Sequence, residues 1–278
     1  MTTLYVSDLD GTLLNSEKHL TDKTMNIINS LIDKGLLFTI ATGRSTATTI
    51  PILSRLKINI PIILLNGVII YDLFMRKCIS VEILNHDSVN KMIDILNNAN
   101  KTAFVYKLDG SYEAASINIY HGELVEKEEY RFYNKRVSFE KFIKMDKFDF
   151  SSEDKIIYFA MLDKFEILEP IQKLFQEVEG VTSLLYKFSY SDDYYFMEAF
   201  SSKASKNTGI QYLKQLAGAD KVITFGDNFN DIDMLINADE SYAVSNACDE
   251  VKNITSEIIE SNNDDGVAKF LSEGIVVD

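Results

Sequence analysis

Short, unbroken apolar runs recur near both ends of the chain, and each stops at a polar or glycine-bearing cluster. "LLFTIA" (36–41) runs into Thr42-Gly43-Arg44, "PIILL" (61–65) into Asn66-Gly67, and "KVITF" (221–225) into Gly226-Asp227-Asn228. A strand that is apolar on both faces must be covered on both faces, which is the signature of a parallel sheet between helices. Leu4–Ser7 is a shorter stub of the same kind, ending at Asp8-Leu9-Asp10. The intervening stretches have helical spacing. Thr21 can cap a helix in which Ile27, Ile28, Leu31 and Ile32 share a face, with Gly35 closing it. Residues 47–56 should hold another helix, whose start Pro51 leaves open.

The rhythm changes after Gly67. "VIIYDLFMRKCISVEI" reads as a hairpin, Val89, Met92, Ile93 and Leu96 mark a helix, and Asp109-Gly110 is a turn signal inside a second hairpin. Residues 155–162 read as a strand, 166–178 as a helix and 182–190 as a strand, while the charged stretch 117–153 has no clear period. From about Tyr194 the first rhythm returns: a helix over 203–216, the 221–225 strand, a turn entering a helix over 226–235, and a strand over 241–246. The expected organisation is a core from 1–82 and 188–278, interrupted by an α+β domain over 83–187.

In a doubly wound sheet, ligands bind beyond the carboxyl ends of the strands. If the buried strands are neighbours, Asp8, Asp10, Asp227 and Asp231 converge there with no nearby histidine or cysteine. Such carboxylates repel one another and rise in pKa unless a cation joins them. A hard divalent ion with oxygen ligands is the natural partner, Mg²⁺ above all when a phosphate completes the octahedron. An EF-hand needs glycine at the sixth loop position and glutamate at the twelfth. Counted from Asp8 those are Leu13 and His19, and from Asp227 they are Ile232 and Ala238, so that reading fails.

Charge and cysteine content exclude other classes. The 278 residues carry a formal net charge of -14, which argues against nucleic acid and anionic membranes as partners. Cys78 and Cys248 have no metal or redox spacing and point to a reducing compartment, the cytosol. Met1–Asp10 lacks the basic start and long apolar segment of a leader, and the apolar run at 60–71 is too short to span a membrane. No feature of the sequence specifies an oligomeric state.

"DLDGTL", "TGR", a later lysine and "GDNFND", in this order, resemble the four motifs of the haloacid dehalogenase (HAD) superfamily of phosphohydrolases. One helix and one strand fill the chain between Asp10 and Thr42, so an inserted domain does not fit there. The insertion after Asn66-Gly67 is similar to the Cof-type branch with a class IIB cap. The implied fold is α/β, a Rossmann-like parallel sheet core with an inserted α+β cap domain that selects the substrate. The resemblance implies that Asp8 is the nucleophile that becomes an aspartyl-phosphate and also touches Mg²⁺. It implies that Asp10 gives a proton to the leaving oxygen and takes one from water, with its main-chain carbonyl on the metal. Two aspartates two apart on an extended segment point the same way, as that division of labour needs. Thr42 and Gly43 are implied to bind phosphate, Asp227 to complete the metal site, and Asp231 to hold metal-bound water or Lys206. Asn230 is implied to steady the phosphate or that lysine, Arg44 to support its turn or reach substrate, and Asn66 to play a similar supporting part. Lys206 fits the motif lysine better than Lys203, although Asn207 replaces the usual glycine and "FSSKA" departs from the usual approach. Asn246 is implied to brace the metal loop; a plain turn is the other reading.

Taken singly the motifs are weak: Asp-X-Asp-Gly is more often a turn than a catalytic pair, Thr-Gly-Arg is common by chance, and "GDNFND" also reads as a polar turn with Asp227 as N-cap, so it is their joint order at strand ends that carries weight. His19, His86 and His121 read as solvated surface residues and Cys78 as a packed thiol. The aromatic stretch 190–196 reads as hinge and core, with Asp192 and Asp193 able to face a cleft. The expected function is Mg²⁺-dependent hydrolysis of small soluble phosphomonoesters, such as a sugar phosphate, pyridoxal phosphate or FMN. The alternatives are a phosphomutase of phosphomannomutase type and a non-catalytic regulator that binds a phosphometabolite.

Overall fold

In the computed structural model, which describes residues 1–110, 116–188 and 193–274, the runs at 4–7, 36–41 and 221–225 become neighbouring strands of one parallel sheet, and the run at 61–65 becomes a strand joined to its edge by an isolated bridge. The chain enters through β1 (Thr3–Ser7), α1 (Asp22–Ile32), β2 (Leu37–Ile40), α2 (Thr46–Leu53) and β3 (Ile62–Leu64). Thr21 caps α1 as its sequence requires, its hydroxyl accepting from the Thr24 N–H, and the helix buries Met25, Ile28, Leu31 and Ile32. Pro51 lies inside α2 rather than at its start. The hairpin expected next is β4 (Ile69–Asp72) and β5 (Lys77–Val81), with β3, β4 and β5 forming a small sheet.

Then come α3 (His86–Asn98), β6 (Phe104–Asp109), β7 (Ser116–His121), α4 (Lys127–Asn134), β8 (Lys141–Lys144), β9 (Lys155–Asp163), α5 (Phe165–Gln176), β10 (Val181–Lys187) and β11 (Tyr195–Ser201). The final stretch is α6 (Lys206–Ala217), β12 (Lys221–Gly226), α7 (Ile232–Ile236), β13 (Glu240–Val244), α8 (Asp249–Lys252), β14 (Glu257–Ile259) and α9 (Gly266–Gly274). No helix among the described residues is long and apolar enough to cross a membrane.

The chain divides into two units, Met1–Ile79 with Ser205–Asp278, and Ser80–Ala204. In the first, the strand order is β14-β13-β12-β1-β2, all parallel, and an isolated bridge between Ala41 and Ile63 adds β3 beyond β2. From β1 the chain winds outward through β2 and β3; after the insertion it winds the other way through β12, β13 and β14. The reversal lies between β1 and β12, which is where such a sheet opens a crevice at its carboxyl edge. Val6 pairs with Thr224 and Ser7 with Phe225, so Asp8 and Gly226 leave the sheet side by side.

The second unit is a six-stranded sheet, β10-β11-β9-β6-β7-β8, antiparallel except for the β7–β8 pair. Val89, Met92 and Ile93 of α3 join Leu168, Ile171 and Phe175 of α5 in a core with Val105, Phe159, Met161, Met197 and Ala199. Fully burying each larger side chain contributes about 1.5–3 kcal/mol, so this unit has its own stabilising centre. Its last strand, β11, pairs with both β9 and β10, which carries the unit to Ala204, beyond the 187 expected from the sequence. The Tyr195–Phe196 end of the aromatic stretch is therefore strand; Asp192 lies outside the described residues. The stretch without a clear period holds β7, α4 and β8, and α4 opens with a Glu126–Glu129 capping box. His121 is buried there among Phe104, Tyr133 and Phe142, not solvated as its polar neighbours led us to expect.

Candidate active site

β1 is apolar up to Ser7, and the first side chain past its end is the buried carboxylate of Asp8, 4 % exposed. Its N–H donates to the Phe225 carbonyl at 2.9 Å, one last sheet-like bond between β1 and β12. The Lys206 ammonium, fully buried, donates to Asp8 Oδ1 at 2.5 Å and to Asp231 Oδ1 at 2.6 Å. Lys203, the other candidate for the motif lysine, is exposed and belongs to the second unit.

Local backbone geometry sets Lys206 in place. It is the first residue of α6, whose start is closed by a reciprocal Ser205–Thr208 capping box. Gly67, at φ +101°, lets the turn after β3 approach this start: a Cβ there would lie 2.0 Å from the Ser205 carbonyl oxygen. The neighbouring Asn66 is buried and left-handed, with φ 54°, a conformation asparagine tolerates better than most residues.

Asp227 and Asp231 follow β12. Asp231 Oδ2 accepts from the N–H groups of Asp227 (2.9 Å) and Asn228 (3.0 Å), so both of its oxygens are engaged. Asp227 Oδ1 accepts from the Thr12 hydroxyl at 2.8 Å. Gly11, at φ +86°, permits this close approach, since a Cβ there would lie 2.3 Å from Asp227 Oδ2. Carboxylate oxygens of Asp8, Asp227 and Asp231 all lie within 4.8 Å of one another.

Asp10 stands apart from that trio. Arg44 holds it as a fork, Nε to Oδ2 at 2.5 Å and Nη2 to Oδ1 at 2.7 Å, and Lys18 Nζ lies 3.2 Å from Oδ1. The metal contact expected of Asp10 is a main-chain one, so these side-chain bonds do not compete with it. Thr42 is buried at the end of β2, where its N–H donates to the Ile63 carbonyl and its hydroxyl accepts from the Arg44 N–H. Gly43 passes so close to Asn66 that a Cβ would lie 3.2 Å from Asn66 Oδ1. Asn230 donates to that same oxygen at 3.3 Å, a contact with Asn66 rather than with the lysine. Asn246 donates to the Gly11 carbonyl at 2.7 Å.

Two participants escaped the sequence reading. Thr12 stands inside the first motif, two residues past Asp10, and its β-hydroxyl was the available signal. Lys18 gave none, because its approach to Asp10 depends on a left-handed backbone, φ 64°.

The electrostatics follow from this crowding. Burial pushes the Asp8 carboxyl up to about 7, with the Lys206 charge pulling the other way and Asp231 adding to the rise. Burial, then Asp8 and Asp231, hold Asp227 well above the ordinary carboxylate range. Burial opposes the charge of Lys206, but Asp231 and Asp8 overcome it and hold the ammonium above its ordinary value. For Asp10 burial is outweighed by Arg44 and Lys18, which keep its carboxyl below the ordinary range. One ammonium thus faces three mutually close carboxylates, and the donor atoms are all oxygens. That arrangement fits a hard divalent cation, which would relieve the rise at Asp8 and Asp227. Since Asp231 is engaged on both oxygens, Asp8 and Asp227 are the carboxylates suited to hold it.

The comparisons with known proteins agree along the whole chain. Residues 5–271 match the family model described as haloacid dehalogenase-like hydrolase. The chain is 27% identical over 274 residues to YcsE of Bacillus subtilis, a 5-amino-6-(5-phospho-D-ribitylamino)uracil phosphatase, covering 98% of this chain and 96% of that protein. It is 24% identical over 279 residues to YbhA of Escherichia coli, a pyridoxal phosphate phosphatase, covering 99% of this chain and 100% of that one. Among solved structures, a haloacid dehalogenase-like hydrolase from Bacteroides thetaiotaomicron superposes with a TM-score of 0.78 at 22% identity, covering 99% of this chain and 100% of the other.

Proposed function

The chain belongs to the haloacid dehalogenase-like hydrolases, and from that premise we propose that it is a Mg²⁺-dependent phosphatase of small phosphomonoesters that works through an aspartyl-phosphate on Asp8. The observation that carries the reading is the Lys206 ammonium bonded at once to Asp8 and Asp231, at the reversal of the parallel sheet.

The Asp8 oxygen that does not face Lys206 forms a bond to phosphorus as the bond from phosphorus to the ester oxygen breaks. The leaving oxygen takes a proton from Asp10 and departs as an alcohol. In the second half Asp10 takes a proton from water, the water oxygen bonds to phosphorus, and Asp8 is released with inorganic phosphate. Lys206 offsets the charge of Asp8 and of the phosphoryl oxygens in the loose transition state. Thr42 offers a hydroxyl, and Gly43 an N–H, to the same oxygens. Asp8, Asp227 and the Asp10 carbonyl would hold Mg²⁺, which would supply further positive charge to the phosphoryl oxygens. Arg44 and Lys18 keep Asp10 ionised in the free protein, so the acid role requires substrate to loosen that fork.

The substrate class is a sugar phosphate or a phosphorylated cofactor such as pyridoxal phosphate or FMN; the activities of the two bacterial relatives, on a ribitylaminouracil phosphate and on pyridoxal phosphate, support it. The inserted unit, Ser80–Ala204, is assigned the choice of the organic group. The test is release of inorganic phosphate from a panel of these esters with and without Mg²⁺, together with hexose 1-phosphates. Mg²⁺-dependent phosphate release supports the reading. An isomerised sugar phosphate without free phosphate would replace it with a mutase, and silence across the panel with a binding protein.

A further inference from the structure

The loop that carries Asp10 is held from outside the four motifs. Residues 9–14 form a tight turn in which the Leu13 and Leu14 N–H groups both reach the Leu9 carbonyl. The carbonyls of Gly11 and Leu14 are bonded by the side chains of two asparagines far along the chain. Asn246 donates to Gly11 at 2.7 Å, and Asn262, buried and just ahead of α9, donates to Leu14 at 2.8 Å. The two asparagines are linked, since the Asn262 N–H donates to Asn246 Oδ1 at 2.9 Å. Both ends of the segment Gly11–Leu14 are therefore tied to one hydrogen-bonded pair of asparagines. That segment follows Asp10 directly and includes Thr12, whose hydroxyl fixes Asp227. Outside it, Asn263 makes a separate pair of bonds to Ser16.

We infer that Asn262 is a positioning residue for the reaction: through Leu14, and through Asn246 to Gly11, it holds the Asp10 turn at the reach needed to protonate the leaving oxygen. This rests on the phosphatase reading and on the acid role of Asp10. Its donor is required because the Leu14 carbonyl is buried, where a lost partner leaves an acceptor unsatisfied. A shift of a few tenths of an ångström at Asp10 weakens proton transfer, which contributes about 10²–10⁴-fold when well placed.

A structural fastening and a positioning role separate by leaving group. An alkyl phosphate expels a basic alkoxide and needs the proton from Asp10, whereas 4-nitrophenyl phosphate expels a stable phenolate and hardly needs it. Asn262→Ala is assayed with Mg²⁺ on 4-nitrophenyl phosphate and on the alkyl phosphate that the unaltered protein turns over fastest. The expected result is a loss in kcat/KM of about 10- to 100-fold on the alkyl ester and about threefold or less on the aryl ester. Asn246→Ala, at an exposed position where truncation opens no cavity, should show the same bias in a smaller degree and stands in if Asn262→Ala does not fold. Asn263→Ala, which breaks only the Ser16 contacts, should show no bias. Equal losses on the two esters, or no loss on either, overturn the inference. Failure of the unaltered protein to release phosphate from either ester is a different result and overturns the phosphatase reading itself.

Discussion

Each unit of this chain places a lysine among carboxylates, and the two arrangements serve opposite ends. Lys206 in the first unit is fully buried and faces Asp8 and Asp231, with Asp227 close by, so negative charge remains in excess. Lys107 in the second unit is half-buried on the sheet, 2.6 Å from Asp154 and 3.5 Å from Asp109, beside the Tyr120 ring. Here too the carboxylates outnumber the lysine, but the groups reach solvent, which screens them. An ion pair that reaches solvent fastens neighbouring residues and contributes little. A buried cluster with unmatched charge is a stability liability, one that a bound cation would relieve. The difference shows that counting ion pairs does not separate the two; the burial of the leftover charge does.

The sharpest way to break this contrast is at Asp8. Asp8→Asn should lower kcat by at least about 10⁴-fold while the melting temperature holds or rises, because one buried negative charge is gone and Lys206 keeps Asp231. A fall in melting temperature together with retained turnover would make the cluster structural. Lys206→Met comes next. Removing the one countercharge should destabilise the protein by about 3–5 kcal/mol in chemical denaturation, and abolish phosphate release.

The third test is titration. Asp8 in the folded, metal-free protein lies near 7, above the ordinary 3.8. The folded state therefore keeps a proton that the unfolded chain releases, and this contribution to stability is lost as pH rises from about 4 to 7. Mg²⁺ should raise the melting temperature more at pH 8 than at pH 5, by an amount worth about 2.7 kcal/mol at a hundred times the dissociation constant. Differential scanning fluorimetry across that range checks it; an equal shift at both pH values would place the ion elsewhere.

The smallest effect belongs to the other region. Lys107 and the Ser151 N–H hold Asp154 below its ordinary value, so its contribution is present at neutral pH and is lost as pH falls through that lowered value. Asp154→Asn should cost under about 1 kcal/mol, flatten stability slightly on the acid side, and leave kcat unchanged. A larger loss would mean that the half-buried pair resembles the buried cluster after all.

The parallel core was legible because its strands are buried on both faces and their ends are punctuated by glycine and aspartate. The site was legible for the same reason, since Asp8, Thr42, Asn66 and Asp227 each stand just past such an end. What escaped was whatever depends on non-local geometry. β11 was missed because its aromatic residues pair with two strands distant in sequence, and alternation alone does not distinguish that from a hinge. Lys18 reaches Asp10 only through a left-handed residue, and His121 was read from its polar sequence neighbours while its spatial ones are aromatic. Asn262 lies in a polar turn that carries no apolar period at all, and only the Leu14 carbonyl gives it meaning.

The interior position of β1 has a consequence during synthesis. Thr2 and Asp220 meet across 218 positions of chain, so the ribosome delivers β1 long before β12 exists to cover its flank. The nascent polypeptide carries an open, apolar strand edge through most of translation, a template for unwanted pairing until β12 arrives. The same delay means that Lys206 and Asp227 join Asp8 only once the last third of the chain has emerged.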